Sequence, residues 1–238
     1  MGQRWSGYVA VALGLALMGP STGAAAPKTL EALSPADIQP ALLLPAPPAE
    51  DSARRKAELE ELHVIQATRT AQRLELAQWD ATHESAGLFA PTLGLKFDLD
   101  ALPATAKLLA IVENDQSVAA SAAKKAFHRR RPWSVDPSLT GCERADKPDP
   151  MTSYPSGHTT LGYSVGVVLA ALIPDRAADI MARAAEYADS RLVCEAHARA
   201  DIEAGQALGT AVGVMLLKDP DLRPQIEAAR AELKAAGF

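Results

Sequence analysis

Three short stretches of this chain hold side chains able to act on an anion: Lys124 with Arg131-Pro132, Pro155-Ser156-Gly157-His158, and Ser190-Arg191 followed by His197 and Asp201. Pro155 biases the residue before it towards extended geometry, Ser156 suits a helix cap, and Gly157 admits close approach of a bound group. A helix opening in this way offers backbone N–H groups to an anion, and His158 adds a ring that titrates near neutral pH. Lys124 and Arg131 stand seven residues apart, two helical turns, with Pro132 ending the element. One cation on the last turns and one at the exit can then converge on one anion, leaving Lys125, Arg129 and Arg130 as surface charge. His197 and Asp201 are four apart, so at a helix start the carboxylate can reach the ring and hold its tautomer. Taken singly, each stretch has an ordinary reading as a solvated charge run, a turn with a surface histidine, or a surface ion pair.

The elements that must position these residues read as helices. Asp51 and Ser52 offer a cap to a charged helix running to about Asp80, with Leu59, Leu62 and Ile65 at helical spacing. His63 on that helix and His83 just beyond it are structural or solvated. Gly87 to Leu99 reads as a loop, after which Leu108, Ile111, Val112, Val118, Ala119, Ala122 and Ala126 mark a helix running into Lys124. A loop from Trp133 to Ser153 leads to the Pro-Ser-Gly-His turn. Helices follow over Thr159–Leu172, Asp175–Asp189, Ala198–Lys218 and Pro220–Ala235. Gly162 and Gly166, and Gly205, Gly209 and Gly213, form two ridges at four-residue spacing that allow helix backbones to approach closely. No stretch reads as a strand, and the chain is assigned to the all-α class as a single-domain helical bundle.

Composition bounds the rest. The 238 residues are 48% hydrophobic and 5% aromatic, a balance that favours closely packed helices over a β-sandwich. Residues 1–25 read as a signal peptide, with Arg4, an apolar run from Tyr8 to Met18, and small residues from Thr22 to Ala26. The apolar run is short for a membrane span, so the expectation is a cleaved leader and a periplasmic or secreted product that is not membrane-bound. Residues 26–50 form a Pro-rich, extended N-terminal arm, and residues 51–238 the helical domain. Removing residues 1–25 takes away only Arg4 and leaves 23 basic against 29 acidic residues, a net charge of −6 that argues against a nucleic-acid partner. Cys142 and Cys194 in an exported protein suggest one disulfide, contributing about 4 kcal/mol on the chain-entropy estimate, with two buried thiols as the alternative.

Lys-x6-Arg-Pro, Pro-Ser-Gly-His and Ser-Arg-x5-His-x3-Asp, in this order, resemble the three-part signature of the type 2 phosphatidic acid phosphatase superfamily, which also includes the vanadium haloperoxidases. Within it the chain is most similar to the bacterial class A non-specific acid phosphatases, from about Leu42 onwards. The resemblance implies the helical fold of that superfamily and a metal-independent, cofactor-free hydrolysis of small phosphomonoesters through a phosphohistidine, with an optimum on the acid side. It implies His197 as nucleophile, Asp201 as its orienter and His158 as general acid. Lys124, Arg131, Ser156, Gly157 and Arg191 would bind phosphate, and inorganic phosphate or vanadate would inhibit. A Cys142–Cys194 link would restrain the third motif against the other two. Two positions depart from the pattern: Glu195 stands where relatives carry Gly, and Ala198 where they carry an aromatic residue. Glu195 would bring negative charge beside the site, for Arg199 or another cation to neutralise. Alternative readings are a vanadate-dependent haloperoxidase and a non-catalytic periplasmic phosphate-binding protein; a homo-oligomer is compatible with the Ala-rich surfaces.

Overall fold

The computed structural model describes residues 1–2, 28–142 and 149–238, so nearly all of the expected leader lies outside the described residues. From Lys28 the arm lies on the body, where the N–H groups of Glu31, Ala32 and Leu33 donate to the Asp115 carboxylate at 2.7, 3.0 and 2.7 Å. It is not extended throughout: a single turn, α1 (Pro40–Leu43), lies between the buried side chains of Ile38 and Leu44. Ser52 caps α2 (Ala53–Thr68) as its sequence predicts, but the expected helix to Asp80 breaks at Arg69. Thr70 supplies a new cap, its hydroxyl accepting from the Arg73 N–H, and α3 (Ala71–Thr82) starts there. The expected loop after it contains a 3₁₀ turn (Ala86–Phe89) and α4 (Ala90–Leu93), which bury Leu88, Phe89 and Leu93.

The long helix α5 (Pro103–Phe127) ends at His128 in a left-handed conformation with φ of 46°, before Arg131 is reached. Lys124 and Arg131 therefore do not share a helix face; Arg131 is extended and precedes the single turn α6 (Pro132–Val135). Next come α7 (Gly157–Leu172) and α8 (Ala177–Val193), the latter running past the expected end at Asp189 and so carrying Ser190 and Arg191 on its last turn. The chain closes with α9 (Arg199–Lys218) and α10 (Arg223–Ala235). No strand occurs among the described residues, and the all-α assignment holds.

The middle of the bundle is α7, which packs against α5, α8 and α9. Its sequence is apolar on nearly all sides, and a helix of that kind needs cover on every face. The two glycine ridges serve different neighbours. Gly205, Gly209 and Gly213 press the α9 backbone onto α7, where a Cβ on Gly209 would lie 2.5 Å from the Thr160 carbonyl oxygen. Gly162 and Gly166 instead make room for α8, beside Tyr187 and Ala184. Because Ser156 and His158 open α7 and Asp201 opens α9, this contact brings the second and third motifs together. A satellite cluster of Leu62, Leu139, Ala188, Leu192 and Ile202 seats α2 and the loop after α6 on the same end. Cys142 and Cys194 form a disulfide there, with the Cys142 N–H donating to the Cys194 carbonyl at 3.2 Å. Among the described residues, no helix is long and apolar enough to cross a membrane.

Candidate active site

The turn before α7 supplies the floor of the site. Ser156 is the N-cap of α7, its hydroxyl accepting from the Thr159 N–H at 3.3 Å and its own N–H donating to the Asp201 carbonyl at 3.0 Å. Gly157 is the first helical residue, and Lys124 reaches over it from the end of α5: a Cβ on Gly157 would lie 3.4 Å from Lys124 Nζ. Arg131 is buried, its backbone tied to Pro150 and its guanidinium donating to the Ala196 carbonyl at 3.1 Å and lying 3.4 Å from the Thr152 hydroxyl. Arg191, 1% exposed, approaches from the end of α8. The fold thus brings Lys124, Arg131, Ser156, Gly157, Arg191 and both histidines to one end of the bundle.

The protonation state of His197 follows from its contacts. Nε2 lies 3.3 Å from Arg131 NH1, a permanent donor, so Nε2 carries the lone pair; Nδ1–H donates to the Ser153 carbonyl at 2.7 Å. Burial first, then the charges of Arg131, Lys124, Arg191 and His158, hold its pKa well below the ordinary histidine range. The ring is therefore held in its neutral form, with a nucleophilic nitrogen among cations.

The expected bond from Asp201 to that ring is not made. The carboxylate stands 3.6 Å from Nδ1, and the ring's partner is the Ser153 carbonyl instead. Asp201 acts one step removed: Oδ2 accepts from the Ser153 hydroxyl at 2.6 Å and the Ala198 N–H at 2.8 Å, fixing the residue whose carbonyl holds His197. Its other oxygen accepts from Arg129 NH1 at 2.6 Å. Arg129 is thus not surface charge. It is 3% exposed and joins Asp201 to Glu58, whose second oxygen accepts from the Ala200 N–H at 2.8 Å. The buried face of α2 carries Arg55, Glu58 and Leu62, so the register of Leu62 already placed Glu58 inward. Arg129 follows the end of α5, where no helical register distinguishes it from exposed Arg130. Similarly, Ser190 is held by Asp80, itself paired with Arg183, and this fixes the turn that presents Arg191.

Glu195 adopts φ of 52°, a left-handed geometry that glycine, the residue the resemblance leads one to expect there, enters without strain. Its buried carboxylate pairs with Arg69 at 2.5 Å and accepts from the Gly141 N–H at 2.9 Å. The neutralising cation is therefore Arg69, while Arg199 pairs with Glu61 and Asp189 on the other side. Ala198 is fully buried at the N-cap of α9. His63 pairs with Asp136 at 2.8 Å, and His83 stacks on Trp79. His158, which had no partner legible in the sequence, meets the Glu84 carboxylate at 2.7 Å.

Lys124 gives the site an alkaline limit. Burial, aided by Arg131, lowers its pKa to about 8, against the opposing pull of Glu84. Above that pH the lysine loses its charge, so inorganic phosphate should bind progressively more weakly, roughly tenfold per pH unit, in competition assays. Lys124→Arg, whose charge persists, should flatten this limb; an unchanged limb would assign it to another group.

Two histidines on one end of a helical bundle, one neutral beside three cations, match a known pattern, and residues 105–224 fit that of the PAP2 superfamily. The chain belongs to this superfamily. The acid phosphatase of Zymomonas mobilis subsp. mobilis is 34% identical over 202 residues, covering 83% of this chain and 76% of that one. The non-specific acid phosphatase of Salmonella typhimurium is 30% identical over 196 residues, covering 80% and 78%. That of Providencia stuartii is 28% identical over 195 residues, covering 80% and 79%. Among solved structures, a bacterial vanadium-dependent iodoperoxidase superposes with a TM-score of 0.50 at 20% identity. It covers 74% of this chain and 52% of its own, and the likeness is one of PAP2 fold.

Proposed function

We propose that this PAP2 protein is an acid phosphatase that hydrolyses phosphomonoesters through a phosphohistidine on His197. The observation that carries the reading is the state of His197: a buried neutral ring, Nδ1–H fixed on the Ser153 carbonyl and Nε2 facing Arg131. Phosphoryl transfer asks chiefly for positioning and for positive charge around the transferring oxygens. Lys124, Arg131 and Arg191 supply that charge, and Ser156 with the Gly157 N–H completes the cradle without a metal.

In the first step the Nε2 lone pair attacks phosphorus in line, and the P–O bond to the leaving alcohol breaks. The departing oxygen takes the bonding pair and a proton from His158. In the second, water attacks phosphorus and yields its proton to His158, while the P–N bond breaks and its pair returns to Nε2. A polar cavity of about 240 Å³ next to Lys124 and Gly157, lined also by Glu84, Glu113, Ser117 and Ser121, gives the leaving alcohol room. An acid optimum is in keeping with a nucleophile whose pKa is held below the ordinary histidine range and a general acid that must carry its proton. Export through the leader remains part of the proposal, in keeping with the bacterial relatives.

The test is hydrolysis of a series of phosphomonoesters by the chain lacking residues 1–25, from pH 4 to 9, with and without EDTA. Turnover with an acid optimum and indifference to EDTA is expected. Phosphate binding without turnover would leave a binding protein, and activity lost in EDTA would overturn the metal-free scheme.

A further inference from the structure

We infer that Glu84 is a positioning residue for the general acid, holding His158 as the doubly protonated imidazolium. The inference rests on the proposed role of His158 and deepens it. Both ring nitrogens face acceptors: Nδ1 lies 2.7 Å from Glu84 Oε1, and Nε2 lies 3.3 Å from the Ala81 carbonyl. A neutral imidazole can donate from only one nitrogen, so this arrangement suits the charged ring best. Ala81 belongs to the last turn of α3, where the carbonyl end of the helix dipole also favours a cation.

The groups around His158 make such support necessary. Lys124 from the end of α5 and Arg191 from the end of α8 share the Glu84 carboxylate with His158, and His197 from the turn before α9 is neutral; the two cations oppose charging the ring. Tyr187 of α8 lies against it with ring centroids 5.6 Å apart, and burial keeps that phenol neutral. Glu84 is the facing carboxylate. Its hydrogen bond to His158 is the main reason its own pKa falls to about 2, so it stays anionic across the acid range. The same residue lines the cavity beside Lys124, at the mouth through which an alcohol would leave. Glu84 therefore separates the two histidines in charge: burial and the surrounding cations keep His197 neutral, the nearby Asp201 carboxylate being engaged by Arg129, Ser153 and Ala198, whereas the Glu84 carboxylate pairs directly with the His158 ring.

Glu84→Gln tests this, since the side chain is 61% exposed and its replacement keeps shape while removing charge. The alkaline limb of kcat/KM for an alkyl phosphate should move down by about one pH unit, making the loss at pH 7 about tenfold greater than at pH 5. An aryl phosphate with a good leaving group needs little protonation and should show a much smaller limb shift. Glu84→Asp should restore part of it. A limb that stays in place, or equal losses for both esters at every pH, would overturn the proposal. Titration of the His158 ring by ¹⁵N NMR reads the same effect without turnover: its pKa should fall by about one unit in Glu84→Gln. An unchanged titration would sink the role of Glu84, whereas a shifted titration in a protein that hydrolyses no ester would sustain the pairing and sink the phosphatase reading.

Discussion

Replacing His197 by alanine should lower kcat for p-nitrophenyl phosphate by at least about 10³-fold, with KM changed far less. The ring supplies the atom that attacks phosphorus, and no neighbour can replace it: Arg131 and Arg191 carry no lone pair at working pH, and Lys124 is charged below about 8. The neutral state of Nε2 rests on two contacts, the Ser153 carbonyl at 2.7 Å and Arg131 at 3.3 Å. Acid quenching of the wild-type protein mixed with ³²P-labelled substrate should trap an acid-labile phosphoprotein, and His197→Ala should trap none. His158→Ala should trap more than wild type with an aryl ester, because the first step then needs little acid while the second loses its base. Label retained by His197→Ala would place the covalent step elsewhere or abolish it.

Arg129→Met should be the most destabilising single change near the site, costing about 3–5 kcal/mol in urea unfolding. Arg129 neutralises two buried carboxylates, Glu58 at 4% and Asp201 at 0% exposure; its removal strips Asp201 of its guanidinium partner and leaves Glu58 only the more distant Arg55, 3.8 Å away. The effect should pass to activity as well, because Asp201 anchors Ser153 and Ser153 anchors His197. Arg130→Met is the control. Its side chain is exposed, and the cost should stay within about 0.5 kcal/mol. Combining Arg129→Met with Glu58→Gln should recover part of the stability, since one buried charge is then gone. Equal midpoints for the two arginine variants would show that the buried ion pairs are not what holds this end together.

The sequence by itself determined the helical class, the caps at Ser52 and Ser156, the apolar stripe of α5 and the glycine ridge of α9. These are local properties, set by spacing along one helix and by the backbone preferences of serine, proline and glycine. It also determined which residue types form the site, because Lys124, Arg131, His158, Arg191, His197 and Asp201 stand at informative intervals within their own stretches. Only the tertiary structure decided what each of them touches. Arg129 finds Asp201 and Glu58 across 72 and 71 residues, and Arg69 finds Glu195 across 126. Glu84 lies in a short turn with no periodicity of its own, and nothing local marks it as the partner of His158. Even the four-residue spacing of His197 and Asp201, which suggested a direct bond, gave way to the Ser153 carbonyl, because His197 lies before α9 begins and its ring turns towards the neighbouring loop. Periodicity records which face of an element is buried; the identity of the group that meets it depends on how distant elements pack.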